Sequence, residues 1–204
     1  MKNKSILLIK ILSILVLCAL INLNTFAQTA APDFTAKDIN GKSYSLKDFA
    51  GKTVVLEWFN PGCPYVKKHY ESGNMQKLQQ TYTEKGIIWL TINSSAEGKQ
   101  GYMTNDEANT KVSSWNIKSS AMLTDPEGII GKAYNAKTTP HMYVVDQKGF
   151  IVYQGAIDDN DSAKISSIDG AKNYVSQSLD EILDGKTVSQ PETESYGCSV
   201  KYKS

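Results

Sequence analysis

Beyond the first few dozen residues the chain alternates short apolar runs with polar punctuation, and two of the runs are nearly continuous. "TVVLEWF" is broken by one acid and "GIIWLTIN" by a threonine, the pattern of strands buried on both faces of a sheet. Between them Pro64 suits a first helical position, and Val66, Tyr70, Leu78 and Tyr82 fall on one helical face through to a stop at Gly86. Strand, helix and strand at this spacing predict a right-handed βαβ unit with a parallel sheet. Upstream, "FTAKDINGKSYSL" sets Asn40-Gly41 between β-prone runs as a hairpin turn, and a helical turn from Ser45 to Ala50 is closed by Gly51. Downstream, the polar stretch "SSAEGKQGYMTNDEANTK" runs into a helix ending near Trp115, and "SAMLTDPEGIIGKAYN" predicts a short strand and a helical turn. In "TTPHMYVVDQKGFIVYQG" strands over Met142 to Val145 and Phe150 to Tyr153 are joined by the turn Asp146–Gly149, so this half is antiparallel. Val175, Leu179, Ile182 and Leu183 then stripe an amphipathic helix that stops at Gly185.

Residues 1–27 do not share this pattern. Lys2, Lys4 and Lys10 precede or punctuate an apolar run from Ile11 to Ile21, and Thr25 and Ala27 stand at the spacing a signal peptidase accepts. The segment reads as a cleaved signal peptide. An uncleaved anchor fits less well, because the run is shorter than the roughly 20 residues that span a bilayer. A lipoprotein signal at Cys18 fits less well again, since Leu17 stands where a small residue is expected. The organisation expected is therefore a signal peptide over 1–27, one domain over 28–185 and a polar tail over 186–204 that carries Cys198, exported to a periplasmic or extracellular location with no stable membrane span after cleavage.

Composition adds little until the charges are sorted. With 204 residues, 41% hydrophobic and 21% charged, one core is the default. All 22 basic residues are lysine, so a mechanism needing a guanidinium is excluded. Removing residues 1–27 takes three lysines and no acid, which leaves 19 bases against 21 acids, a net charge of −2. Nothing there attracts a polyanion, and no nucleic-acid partner is expected.

The chemistry centres on "WFNPGCPYVKKHY". Cleavage removes Cys18 and leaves Cys63 and Cys198. Two thiols in an oxidising compartment can pair, and a domain of this size does not need a disulfide to fold, so such a pair would serve chemistry more than structure. Cys63 stands at a strand-to-helix junction, beside unpaired amides and the positive end of a helix, a setting that stabilises a thiolate. Lys67 and Lys68 add positive charge in the first turn; the alternative makes Cys63 a small core hydrophobe and the lysines a solvated face. His69 is placed on the surface. In the tail, "SYGCSVKY" sets Gly197-Cys198 in a short β-prone patch, which suggests a segment that returns to the body.

"VVLEWFNPGCPYVKKH", together with "TTPHMYVVDQKGFIVYQG" at its distance downstream, resembles the thioredoxin-fold redox proteins, in the branch of alkyl hydroperoxide reductase, thiol-specific antioxidant and the exported thioredoxin-like reductases. The resemblance covers nearly the whole mature chain. It implies an α/β thioredoxin-like fold, a central mixed sheet flanked by helices, with an N-terminal hairpin extension and a C-terminal tail. It makes Cys63 the attacking cysteine, whose thiolate opens a disulfide or a peroxide bond. The family's second cysteine would lie three residues on, where this chain has Val66. Resolution then falls to Cys198, to a partner's thiol, or to none, and a Cys63–Cys198 disulfide is expected in the oxidised protein. Glu57 matches an acid that moves protons to and from the thiols, and a carboxyl in an apolar strand has a raised pKa that suits the task. The other reading leaves it on an edge or facing solvent. Thr139-Pro140 matches a cis-proline that packs on the attacking sulfur and frees a backbone edge for an extended substrate. His141 follows it, either assisting at Cys63 or as a partly buried strand residue with a satisfied ring.

Three chemistries follow, beside a fourth reading as a catalytically silent protein-binding domain. The first is an exported thiol–disulfide oxidoreductase acting on protein thiols or disulfides, recycled by an external thiol reductant and needing no cofactor. The second is a peroxiredoxin-like thiol peroxidase. Against it stands Asn60, where such enzymes place Thr or Ser, and the absence of arginine, which leaves Lys67 or backbone amides to polarise a peroxide. The third is a copper-binding module using Cys63, Cys198 and His141.

Overall fold

Five consecutive residues, Val54–Trp58, have no appreciable exposure on either side, and such a run is stable only as an inner strand with a layer packed on each face. The computed structural model of the chain describes residues 29–203, so residues 1–27, expected to be a signal peptide, and Cys18 among them lie outside the described residues. In chain order the elements are β1 (Thr29–Ala30), β2 (Thr35–Lys37), β3 (Ser43–Ser45), β4 (Val54–Trp58), α1 (Pro64–Glu71), α2 (Asn74–Glu84), β5 (Ile88–Asn93), α3 (Asn105–Ser114), β6 (Ala121–Thr124), α4 (Ile129–Ala133), β7 (Thr138–Thr139), β8 (His141–Val145), β9 (Phe150–Gly155), α5 (Tyr174–Leu183) and β10 (Cys198–Ser199), with 3-10 turns at Leu46–Phe49 and Ile165–Ser167.

The main sheet runs β1-β9-β8-β4-β5-β6. β4 pairs parallel with β5 and antiparallel with β8, so the βαβ half and the antiparallel half meet on one strand. Alternation along β4 divides the core: Val55 faces the layer built from Val66, Tyr70, Leu78, Tyr82 and Leu179, whereas Val54, Leu56 and Trp58 face Phe34, Ile130, Tyr134 and Tyr143. The hairpin extension forms at Asn40-Gly41, where Gly41 has φ +82° and the Asp38 side chain accepts from the amides of Asn40 and Lys42.

The expected helix from Pro64 to Gly86 is two helices. The chain stops at Ser72 and turns through Gly73, in the left-handed region at φ +78°, before α2 begins. The apolar face survives because Val66, Tyr70, Leu78 and Tyr82 all still reach the same core. The tail is not an appendage: Thr193 bonds to β9, β10 pairs with β7, and Val200 is buried in the second core.

Candidate active site

Pro64 opens α1 and makes Cys63 its N-cap, at φ −80° and ψ 124°. The loop before it is held by Asn60, whose side-chain oxygen accepts from Gly62 N at 2.8 Å, whose backbone carbonyl accepts from Cys63 N at 3.1 Å, and whose amide donates to Gln100. Cys63 is 0% exposed. Its S–H donates to the Thr139 carbonyl at 2.9 Å, and the Thr139-Pro140 peptide is cis. β10 completes the arrangement. Cys198 is the register partner of Thr139, so the strand that carries the second thiol is bonded to the residue that touches the first. Both thiols are free, and Cys198 is half-buried against Cys63. Burial, and after it the hydrogen bond and charge of Cys63, push the Cys198 thiol up to about 11.

Glu57, on the inner strand, is fully buried, which settles its position against an edge or solvent-facing one. Four uncharged donors surround it: Tyr70 OH at 2.7 Å, Trp89 Nε1 at 2.8 Å, Gln79 Nε2 at 3.0 Å and Thr91 Oγ1 at 3.2 Å. Burial raises its pKa above the usual carboxylate value, the donors opposing this only in part.

The Redoxin family profile matches residues 26–172 of the chain. The chain belongs to the Redoxin family. It is a thioredoxin-fold redox protein, and its relatives agree. It is 31% identical over 121 residues to the thioredoxin-like protein YneN of Bacillus subtilis, covering 59% of this chain and 66% of that one. It is 25% identical over 163 residues to the thiol-disulfide oxidoreductase ResA of Bacillus thuringiensis subsp. konkukian, covering 74% of this chain and 88% of ResA. A crystal structure of an uncharacterized conserved protein from Geobacillus kaustophilus superimposes with a TM-score of 0.75 at 25% identity, over 88% of this chain and 94% of that one.

One expectation is corrected in this Redoxin, and for Lys68 and His141, each left with two readings, the surroundings are now plain. His69 is not on the surface; it is 0% exposed, with Nδ1 accepting from Asn74 Nδ2 at 2.8 Å. Lys68 is not solvated; its ammonium is bonded to the Asn160 carbonyl at 2.7 Å, while Lys67 alone of the pair is exposed. His141 does not join the thiols: it is a buried strand residue whose Nδ1 accepts from Lys137 N at 3.2 Å, and burial lowers it to about 4. Among the described residues no three His, Cys, Asp or Glu side chains converge to hold a metal ion, which removes the proposed copper set.

The sequence reading missed the groups that surround the named ones. Tyr70 was visible only as part of an apolar stripe, although its hydroxyl serves Glu57, and Gln79, Trp89 and Thr91 carried no local mark. Asp158 and Tyr196, partners of Lys68 and His69, lie in distant loops. The one available signal was Tyr196 standing two residues before Cys198 in a tail already marked as returning.

Proposed function

We propose that this Redoxin is an exported thiol–disulfide oxidoreductase in which Cys63 attacks and Cys198 resolves. The reaction class is the one in the name of its relative ResA. The register of β10 on β7 supports the cysteine roles, because it sets Cys198 against Cys63 with no other thiol among the described residues. The Cys63 thiolate attacks one sulfur of a substrate disulfide, forming a mixed disulfide and releasing the other sulfur as a thiolate. Cys198, once deprotonated, then attacks Cys63, releases the second substrate thiolate and leaves a Cys63–Cys198 disulfide for an external thiol to reduce. Glu57, held in its protonated form to higher pH by burial, is suited to exchange the protons. The backbone edge beside the cis Thr139-Pro140 peptide, on which an extended protein substrate would pair, is taken by β10 here, so substrate pairing there requires β10 to move aside.

Peroxide chemistry has less support. Asn60 is committed to Gly62 and Gln100, and Lys67 is exposed while Cys63 is buried. Export rests on the lysines and apolar run of residues 1–27, and the mature protein is expected to begin at Gln28. Among the described residues no helix is long and apolar enough to cross a membrane.

The test is peptide mapping without reductant after mild oxidation, beside an insulin-reduction assay. A linked Cys63–Cys198 peptide pair and a rate lost in Cys63→Ser are expected. Two free thiols, or insulin reduction no faster than in the variant, would overturn the proposal.

A further inference from the structure

One cluster of buried charge takes no part in the reaction described above. Lys68 and His69 stand side by side on α1 and Asp158 follows β9, and their side chains are 0%, 0% and 2% exposed. Lys68 Nζ lies 3.7 Å from Asp158 Oδ1. Burial, and then the Lys68 charge, lowers His69 to about 3, so it is neutral at pH 7. With Nδ1 accepting from Asn74, its proton sits on Nε2.

A single group enters this socket from the tail. The Tyr196 hydroxyl donates to Asp158 Oδ1, accepts from Lys68 Nζ at 3.3 Å and lies 3.2 Å from His69 Nε2. Its ring also covers the ammonium, 4.9 Å from the centroid. A buried ion pair adds little to stability by itself, and its best-attested use is to fix one arrangement among several. What this one fixes is the path of the tail. Gly197 follows at φ +136°, with its α-carbon so close to the Thr139 carbonyl that a Cβ has no room. Cys198 then enters the ladder opposite Thr139.

We infer that Lys68, His69 and Asp158 are positioning residues that grip the Tyr196 hydroxyl and so hold the Cys198 thiol at Cys63. The inference rests on the reading of Cys198 as the partner of Cys63. The same grip keeps β10 on the Thr139 edge, so it shields Cys63 from outside thiols while readying the internal one.

The experiment is equilibration of the full mature chain in glutathione buffers, following Cys63–SH + Cys198–SH + GSSG ⇌ Cys63–S–S–Cys198 + 2 GSH. Its equilibrium constant is the effective concentration of one thiol at the other. Tyr196→Phe is expected to lower it about tenfold or more, because a linked partner acts only as far as geometry holds it in place. Asp158→Asn should lower it by a smaller factor. Tyr202→Phe, which removes another tail hydroxyl, bonded to the Ala136 carbonyl at 2.8 Å, should leave it within about twofold, since its contact lies off the path from socket to thiol. Should Tyr196→Phe fail to fold by circular dichroism, Asp158→Asn, which keeps shape and acceptor, carries the test. Variants no different from Tyr202→Phe, with an internal disulfide formed in the wild type, overturn the grip alone. A wild type that forms no internal disulfide overturns the pairing and this inference with it.

Discussion

Two buried polar clusters flank α1, and they handle an acid in opposite ways. On one side Tyr70 reaches Glu57, whose remaining partners are an indole, an amide and a hydroxyl, with no cation in the set. On the other, Lys68 and His69 reach Asp158, and a cation stands 3.7 Å from the acid. Neutral donors in a dry site leave a carboxyl short of compensation, so its proton is held to higher pH and is available to move. The second cluster instead gives its acid a cation and a hydroxyl as partners, and the hydrogen bonds among them are fixed in direction. One helix thus presents a proton store to the sheet and a rigid grip to the tail, with Cys63 at its N-terminus between the two tasks.

The largest effect should come from the sulfur that both clusters serve. Cys63→Ser is expected to bring insulin reduction to the uncatalysed rate while leaving both clusters folded, as followed by near-ultraviolet circular dichroism. Residual exchange through Cys198 alone would mean that the tail thiol acts independently, and the division of labour would fail.

The next test separates the clusters by pH. Glu57 has a folded pKa above its unfolded 4.5, so the folded chain binds the extra proton in between; its contribution is full below 4.5 and is lost as pH rises through the folded value. His69 has a folded pKa of about 3 against 6.5 unfolded, so its contribution is full above 6.5 and is lost as pH falls toward 3. Each slope can reach about 1.4 kcal/mol per pH unit where one proton is involved. Denaturant melts of wild type, Glu57→Gln and His69→Asn between the two unfolded values should give difference curves of opposite sign. His141 is lowered too, but it is present in all three proteins and cancels. Two curves of the same sign would break the comparison.

How far this could be read from the chain follows from the range of each contact. The βαβ unit, the hairpin and the antiparallel half were legible because apolar runs, Asn40-Gly41 and Asp146–Gly149 act within a few residues. Cys63, Glu57 and Thr139-Pro140 were legible by resemblance, and Cys198 as a lone thiol in a β-prone patch. The break at Gly73 was hidden because the apolar face continues across it. His69 was misplaced on the surface, and the burial of Lys68, expected as a positive charge beside Cys63, was not foreseen, because their partners Tyr196 and Asn160 lie 127 and 92 residues away. Local polarity predicts exposure, and only the fold shows that a tail closes over these two.

Gly197→Ala should produce an intermediate effect confined to the tail side. A side chain at φ +136° is strained and meets the Thr139 carbonyl, and a cost of about 1–3 kcal/mol is usual for such a conformation. Since each 1.4 kcal/mol is a factor of ten, the tail should open about tenfold more often or beyond. The readout is iodoacetamide modification of Cys63 in the reduced protein, expected to accelerate by that factor with the Glu57 difference curve unchanged. An unchanged rate would show that Cys63 is reached without lifting β10.

The smallest effect distinguishes the two tail tyrosines. Tyr202 packs its ring against Gly128 and Gly131 and donates to the Ala136 carbonyl, an uncharged bond at the far end of the tail. Tyr202→Phe keeps the ring and loses one neutral hydrogen bond, so it should cost about 1 kcal/mol in a denaturant melt. Its iodoacetamide rate at Cys63 should match the wild type, because β10 and the Tyr196 contacts are untouched. If the rate rose as much as in Gly197→Ala, the tail would be lifting as one piece from its end, and the Lys68–Asp158 socket would be one contact among several instead of the one that sets the thiol.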